Sequence, residues 1–188
     1  QKVKTYERQR EFVWVDKKSL ATREDGSKFY PYKSLVTAVS NEVVGVAAEL
    51  HFKIMSGTYD VSDTFDLDYA GWKLTFEGSK ERKTIFQMTD ISTDMFVCKN
   101  LAYVSFQNLF LRKAKYLLRV KSSCTDTFVK NVKVKNGGSL GNTLYHSGTG
   151  KTQSEAAAAY SAGIELSNGA GMRLEGTGET IVKNCEAL

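Results

Sequence analysis

The sequence predicts an all-β fold, a parallel β-helix (a solenoid of stacked coils), with a short capping helix near its N-terminal end. Two observations predict it. From His51 onward, short stretches of alternating apolar and polar residues are separated by turn signals, without intervening helices. One such stretch also recurs 23 residues further along, so that Phe106 aligns with Val129. A repeat of this kind favours stacked coils over a sandwich or a barrel.

Composition and charge limit the class of protein. The chain has 188 residues, 41% hydrophobic and 25% charged, which suits one ordered domain. The net charge is +5 and the pI about 9.0, but basic residues alternate with apolar ones instead of forming a stripe. No nucleic-acid partner is therefore predicted, whereas a solvated basic surface or a weak attraction to acidic glycans fits. No apolar run approaches the ~20 residues of a membrane span, so none is predicted.

The cysteines and histidines do not form a recognisable metal motif. Cys98, Cys124 and Cys185 lack metal-ligand spacing, and each lies near an apolar strand. We expect them to be buried, inert thiols. His51 and His146 are far apart in the sequence, so no Cys/His metal site is predicted.

The N-terminal elements precede the repeats. We expect residues 1–24 to form an extended arm and a first strand, the latter at FVWV (12–15), and Asp25-Gly26 signals a turn. A cap is predicted over 31–49, where Pro31 can occupy the first turn of a helix. It would cover the open end of the stacked sheets. The apolar residues at roughly helical spacing in this segment are Leu35, Val36, Val39, Val43 and Val46.

The coils are predicted over 50–188. The repeat aligns VSFQNLFLRKA (104–114) with TFVKNVKVKNG (127–137), and FVKNVKV with IVKNCEA (181–187). Leu118-Arg119-Val120 aligns with Ile164-Glu165-Leu166, 46 residues further along. Asparagine tolerates a left-handed backbone at a bend, and its amide can bond to the equivalent amide in the next coil. The aligned asparagines therefore predict a structural ladder of Asn108, Asn131 and Asn184.

Residues 137–160 interrupt the repeat and are predicted to form a projecting loop, because they are rich in Gly, Ser and Thr and lack its apolar rhythm. GTGKT (148–152) is not a phosphate-binding loop, since that motif needs glycine where Tyr145 stands. Aromatic rings pack on sugar faces, and His and Lys bind hydroxyls or carboxylates. The candidate substrate-binding residues are therefore Tyr145, His146, Lys151 and Tyr160, with ordinary loop packing as the alternative.

Two motifs resemble those of the right-handed parallel β-helix superfamily, which includes pectate lyases, pectin methylesterases and phage tailspikes. DGSKFYPYKSLVTAV (25–39) is similar to the segment that leads into the capping helix of secreted members. FKIMSGTYDVSDTFDLDYAGWKLTFEGS (52–79) is similar to their first coils. The resemblance covers residues 25–188 and implies a right-handed parallel β-helix. Complete members are generally longer, so we expect this chain to be the N-terminal part of a longer solenoid.

The resemblance implies less about activity, because the superfamily includes lyases, hydrolases, esterases and structural proteins. A lyase would need acidic residues stacked on one sheet face to bind Ca²⁺, and a Lys or Arg as base. Ca²⁺ is thus implied by the resemblance alone. No aspartate pair recurs on adjacent coils as a hydrolase would need, and the catalytic residues stay unknown. The acidic candidates are Asp60, Asp63, Asp66 and Asp68, for which a solvated strand face is the simpler explanation, and the neighbouring pair Asp90 and Asp94.

We expect an extracellular or virion-surface module that recognises or processes a polysaccharide. The alternative is a non-catalytic structural or adhesive component of a phage tailspike or surface assembly. As an enzyme it would be a polysaccharide lyase or glycoside hydrolase with most of its chemistry beyond Leu188. The expected partners are a glycan, further coils or another protein at the C-terminal edge, and two more copies in a homotrimer.

Overall fold

The computed structural model describes residues 12–137, 144–146 and 172–187. Strands dominate these residues, and their one α-helix is α1 (Leu35–Glu42). In chain order the strands are β1 (Phe12–Val15), β2 (Glu49–Ile54), β3 (Gly57–Val61), β4 (Phe65–Asp68), β5 (Lys73–Glu77), β6 (Thr84–Met88), β7 (Phe96–Lys99), β8 (Tyr103–Gln107), β9 (Leu109–Ala114), β10 (Leu118–Val120), β11 (Asp126–Lys130), β12 (Lys133–Gly137), β13 (Leu144–His146), β14 (Met172–Leu174), β15 (Thr180–Lys183) and β16 (Glu186–Ala187).

The strands form three parallel sheets. The first sheet has the order β1-β2-β5-β8-β11-β15, the second β3-β6-β9-β12-β16, and the third β4-β7-β10-β14-β13. From β2 to β12, successive strands lie in the first, second and third sheet in turn, and then the chain returns to the first sheet. The predicted all-β, parallel architecture with one helix is confirmed at this level.

Alternating burial explains why these short segments form strands. On β5, Leu74 and Phe76 are fully buried, whereas Lys73 is exposed. The inward rings of Phe52, Phe76 and Phe106 stack through the first sheet, with centroid separations of 5.1 and 5.2 Å. Each buried phenylalanine contributes about 1.5–3 kcal/mol by leaving water, so this column is a major part of the core.

The strand register follows the sequence repeat. Phe106 pairs with Val129, which in turn pairs with Val182. Leu111 pairs with Val134. Equivalent apolar residues therefore stack on one another inside the sheets, as the alignment of the repeats predicts.

The three predicted ladder asparagines lie at the bends between first-sheet and second-sheet strands. Asn108, Asn131 and Asn184 have φ of 55°, 55° and 51°, in the left-handed region. The side-chain nitrogen of Asn131 donates to the side-chain oxygen of Asn108 over 2.8 Å. Gly78 occupies the equivalent bend between β5 and β6. A Cβ there would lie 2.5 Å from the Asn108 carbonyl oxygen, so the position requires glycine.

The N-terminal helix is shorter than the predicted cap. It begins after Ser34, whose extended backbone and side chain form the N-cap, so the prediction that Pro31 occupies its first turn is wrong. Leu35 and Val39 are buried where the helix packs against β1, but Val36 is 55% exposed and Val46 89% exposed. The last turn ends at Glu42, and the segment after it contributes no helical face.

The sequence repeat did not predict the strand that pairs with β10. Leu118-Arg119-Val120 pairs with Met172-Arg173-Leu174, while Ile164-Glu165-Leu166, with which the repeat aligns it, lies outside the described residues. Both triplets place a charged residue between two apolar ones, so the pattern alone could not choose between them. Of the predicted loop interior, only β13 is described, and it pairs with the outer edge of β14.

The cysteines carry no disulfide. Cys98 and Cys124 are buried, as predicted, and burial raises the pKa of both thiols. Cys185 is partly buried, and burial raises its pKa to about 11. All three thiols are therefore protonated and unreactive at neutral pH.

Candidate functional site

The third sheet carries charged side chains on its outer surface. On β4, Asp66 and Asp68 alternate with buried residues and are exposed. The parallel register continues from Asp66 through Val97 to Arg119 and Arg173 on neighbouring strands. We call this surface the third-sheet face: Asp66, Asp68, Val97, Lys99, Arg119 and Arg173, with Asp94, Lys121 and Glu175 beside the strand ends.

Both arginines of the third-sheet face are held by carboxylates. Arg119 Nη1 lies 3.2 Å from Asp94 Oδ2, and its guanidinium carbon lies 5.0 Å from the ring centroid of Tyr116. Arg173 Nη2 lies 2.7 Å from Glu175 Oε1. These side chains are 17–26% exposed, so water screens their charges less than on an open surface. Both arginines are thus fixed in position by their carboxylate partners.

Lys121 stands at the end of β10 between these pairs. It forms no side-chain hydrogen bond or ion pair within the part of the chain that the structure describes. Burial lowers its pKa, and the nearby charges of Arg119 and Arg173 lower it further against the opposing effect of Glu175 and Asp94. A lysine with a lowered pKa loses its proton more readily than an ordinary one, as a proton acceptor must.

The other edge of the face is more open. Lys99 Nζ lies 2.8 Å from Asp66 Oδ2, and the side-chain nitrogen of Asn100 donates to Asp68. The Asp66 side chain is 54% exposed, so this pair contributes little to stability. The face therefore combines a shielded basic region around Arg119 with a solvated acidic edge on β4.

The acidic residues singled out in the sequence do not converge. Asp66 and Asp68 point outward, as the strand alternation predicts, and Asp94 joins them on the third-sheet face through Arg119. Asp60 instead lies on the second sheet, bonded to Lys17 and Gln87. Asp63 bonds to Ser62 at the bend after β3, and Asp90 accepts hydrogen bonds from Ser92.

This arrangement does not fit the Ca²⁺ that the resemblance implies. Among residues 12–137, 144–146 and 172–187, no three acidic, His or Cys side chains gather as metal ligands. Asp66 and Asp68 already bind a lysine and an asparagine. Because a hard cation needs several converging oxygens, we derive no step through Ca²⁺ from these residues.

Two of the four predicted substrate-binding residues fall on the third sheet. In β13, Tyr145 is in register with Arg173, and His146 is in register with Leu174. Tyr145 therefore extends the row that contains Arg119 and Arg173. Lys151, Tyr160 and the GTGKT segment lie outside the described residues.

Sequence reasoning missed the basic residues of this face. A signal for Arg119 and Arg173 exists, since each stands alone between two buried apolar residues of a three-residue strand. The same signal recurs at many other charged positions of the chain. Lys121 lies just outside its strand and carries no sequence signal.

No helix in the described ranges is long and apolar enough to span a membrane. Comparisons with protein-family models, with curated proteins and with solved structures gave no match to this chain. Its function therefore has to be inferred from its own residues.

Proposed function

We propose that the three sheets are the faces of a right-handed parallel β-helix whose third-sheet face recognises and processes an acidic polysaccharide. The fixed order in which the chain visits the three sheets supports the solenoid. Parallel strands joined within one sheet have right-handed crossovers in nearly all proteins, which supports the handedness. The resemblance of residues 25–39 and 52–79 to secreted β-helix proteins points the same way.

The observation that carries the activity is the basic cluster of Arg119, Lys121 and Arg173, in which Lys121 has a lowered pKa and no partner among the described residues. A guanidinium binds the carboxylate of a uronic acid and makes the adjacent C–H more acidic. Lys121 Nζ takes that proton, the C–H electrons form a C=C bond, and the glycosidic C–O bond breaks. The leaving oxygen takes a proton from water, so the reaction is an elimination without net oxidation.

The test is turnover and binding of polygalacturonate by the purified protein. New C=C bonds are followed by ultraviolet absorbance and binding by calorimetry. We expect Lys121→Gln to lower the rate by about 10²–10⁴-fold while binding changes little, as for loss of a general base. Lys130→Gln, which removes an exposed lysine from the first sheet, is the matched control and should leave both unchanged. Full activity of the Lys121→Gln protein would reject the assignment.

The second candidate is a non-catalytic adhesive or structural module outside the cell or on a virion. The pairing of both arginines with carboxylates favours it, because ion pairs of this kind also serve only to hold a sheet together. Binding of polysaccharide that depends on Arg119, with no turnover at any pH, would identify this function. Sedimentation analysis would then test the homotrimer expected of a tailspike component.

A further inference from the structure

We propose a separate binding site for anionic glycan segments on the outer surface of the second sheet. Its core is four side chains on two neighbouring strands, Phe110 and Arg112 on β9 and Lys133 and Lys135 on β12, which we call the β9–β12 grid. The grid lies on a different sheet from Lys121, and it stands or falls independently of the activity proposed above.

Strand alternation and register fix the geometry of the grid. Leu109 and Leu111 are fully buried, so the residues that alternate with them face outward. Phe110 is in register with Lys133, and Arg112 with Lys135. Neighbouring strands lie about 4.8 Å apart and alternate residues about 7 Å apart along a strand, so four groups occupy an area comparable to one or two sugar rings.

The aromatic ring lies between two cations. Lys133 Nζ is 5.8 Å from the centroid of the Phe110 ring, and the Arg112 guanidinium carbon is 5.9 Å from it. Phe110 is only partly buried although it is a large apolar side chain on an outer sheet surface. A sugar ring can pack on such a phenyl group while its charged substituent reaches the neighbouring cations.

Arg112 is held in place but keeps most of its donors. Its Nε donates to Gln87 Oε1 over 2.9 Å, and the amide nitrogen of Gln87 donates in turn to Asp60. This uses one of the five N–H groups of the guanidinium. Within the described residues, no carboxylate pairs with Arg112 or with Lys135. An anionic ligand can therefore bind to both of these neighbouring cations, Arg112 and Lys135.

The charge around the grid is positive. Lys133 Nζ lies 3.6 Å from Glu186, but that carboxylate is shared with Arg82 at 3.1 Å. Within the described residues, Glu186 is therefore the one carboxylate that pairs with a cation of the grid, and it also pairs with Arg82. This excess favours a ligand that carries carboxylate or sulfate groups.

The row of side chains also distinguishes a glycan from a nucleic acid. Across the strands, Phe110 is flanked by Ile85 on one side and Lys133 on the other, and Thr58 and Glu186 lie beyond them. A single strand of nucleic acid needs successive rings on which successive bases stack. One ring among cations suits one sugar unit with its charged substituents.

The experiment measures binding of two probes, a sulfated hexasaccharide from heparin and a hexasaccharide of galacturonic acid, by calorimetry at low and high salt. We expect saturable binding that weakens with salt, and a loss of about tenfold or more in the double variant Arg112→Gln/Lys135→Gln. The matched control is Lys130→Gln/Lys183→Gln, which removes the same charge from neighbouring first-sheet strands. It should bind as the wild type does.

An equal loss in the control pair would show unspecific attraction to a basic protein and overturn the site. Unchanged binding by the grid variant would overturn it as well. Tighter binding of a single-stranded oligonucleotide that the grid variant abolishes would assign the face to nucleic acid instead. If only Arg119→Gln weakens binding of the galacturonate probe, the third-sheet face binds that probe and the grid fails. Thermal unfolding of each variant checks that it is folded.

Discussion

On the outer surface of the first sheet, His51 and Lys53 share one carboxylate. His51 Nε2 lies 2.8 Å from Glu77 Oε2, and Lys53 Nζ contacts the same oxygen. Burial lowers the pKa of His51 and Lys53 lowers it further, and together they outweigh Glu77 and Glu49, which act in the opposite direction. A contact with a carboxylate therefore does not charge this histidine, because the lysine already neutralises its partner.

This cluster predicts a pH dependence of stability. The pKa of His51 in the folded state lies below its ordinary value of 6.5. As the pH falls, the unfolded chain therefore takes up this proton at a higher pH than the folded protein does. The free energy of unfolding should thus decrease as the pH falls through 6.5, and His51 should contribute no further change below its folded-state pKa. Urea denaturation over this range measures the effect, and His51→Gln should flatten it. An equally steep decrease in that variant would assign the titration to another group.

Glu77 acts in a different pH range. Burial alone would raise its pKa, but the hydrogen bond and charge of Lys53, together with His51, lower it below the ordinary value of 4.5. Its contribution to stability is present above that value and is lost as the pH falls through its folded-state pKa. Because the two pH ranges differ, one series of unfolding measurements distinguishes the contribution of His51 to stability from that of Glu77.

Residue by residue, the candidate site was only partly predictable from the sequence. The outward direction of Asp66 and Asp68 follows from strand alternation alone. That Arg119 meets Asp94 depends on the path of the loop before β7, which no periodicity encodes. The lowered pKa of Lys121 depends on burial and on the charges of β10, of β14 and of the residues beside the strand ends, and such an environment exists only in the folded chain.

At the scale of elements, the bends at Asn108 and Asn131 share one backbone conformation and one hydrogen-bond pattern. Asn108 N–H donates to the carbonyl of Lys130, and Asn131 N–H donates to that of Lys183. Each asparagine thus turns the chain in the left-handed conformation while its backbone still bonds to the next strand. The side-chain bond from Asn131 to Asn108 adds a second link between the two bends.

We expect Asn131→Ala to destabilise the protein by about 2 kcal/mol, because alanine in the left-handed region costs about 1 kcal/mol and the lost hydrogen bond about another. Asn131→Gly relieves the backbone strain, so it should cost only about 1 kcal/mol through the lost amide. Urea denaturation of the two variants measures both values. Equal losses in the two would mean that the backbone conformation contributes nothing and that the side-chain bond accounts for the whole effect.

Elements with a strong repeat were predictable, and those without one were not. The bends at Asn108 and Asn131 carry a residue type that suits their backbone, so sequence alone located them. The extent of α1 was not predictable, since Val43 and Val46 continue the helical spacing after the helix has ended at Glu42. The pairing of β10 with β14 was not predictable either, since Met172-Arg173-Leu174 and Ile164-Glu165-Leu166 have the same pattern in the sequence.

At the scale of the whole molecule, the stability of each strand depends on the strands beside it in the sheet. β5 and β8 are bonded on both sides within the first sheet, whereas β1 and β15 lie at its two ends. The ring column of Phe52, Phe76 and Phe106 also belongs to the interior strands. Within such a sheet, each strand is stabilised mainly by the strands next to it.

Amide hydrogen exchange should therefore be graded along the stack, slowest in β5 and β8 and faster toward β1 and β15. Val182→Ala removes buried apolar volume from β15, at a cost of about 2 kcal/mol. We expect it to accelerate exchange in β15 and β16 while β2 and β5 keep their wild-type rates, since few contacts connect the two ends. Measuring exchange by mass spectrometry in both proteins resolves the strands. Uniform acceleration throughout the chain would contradict this prediction, because it would mean that the three sheets unfold as one unit.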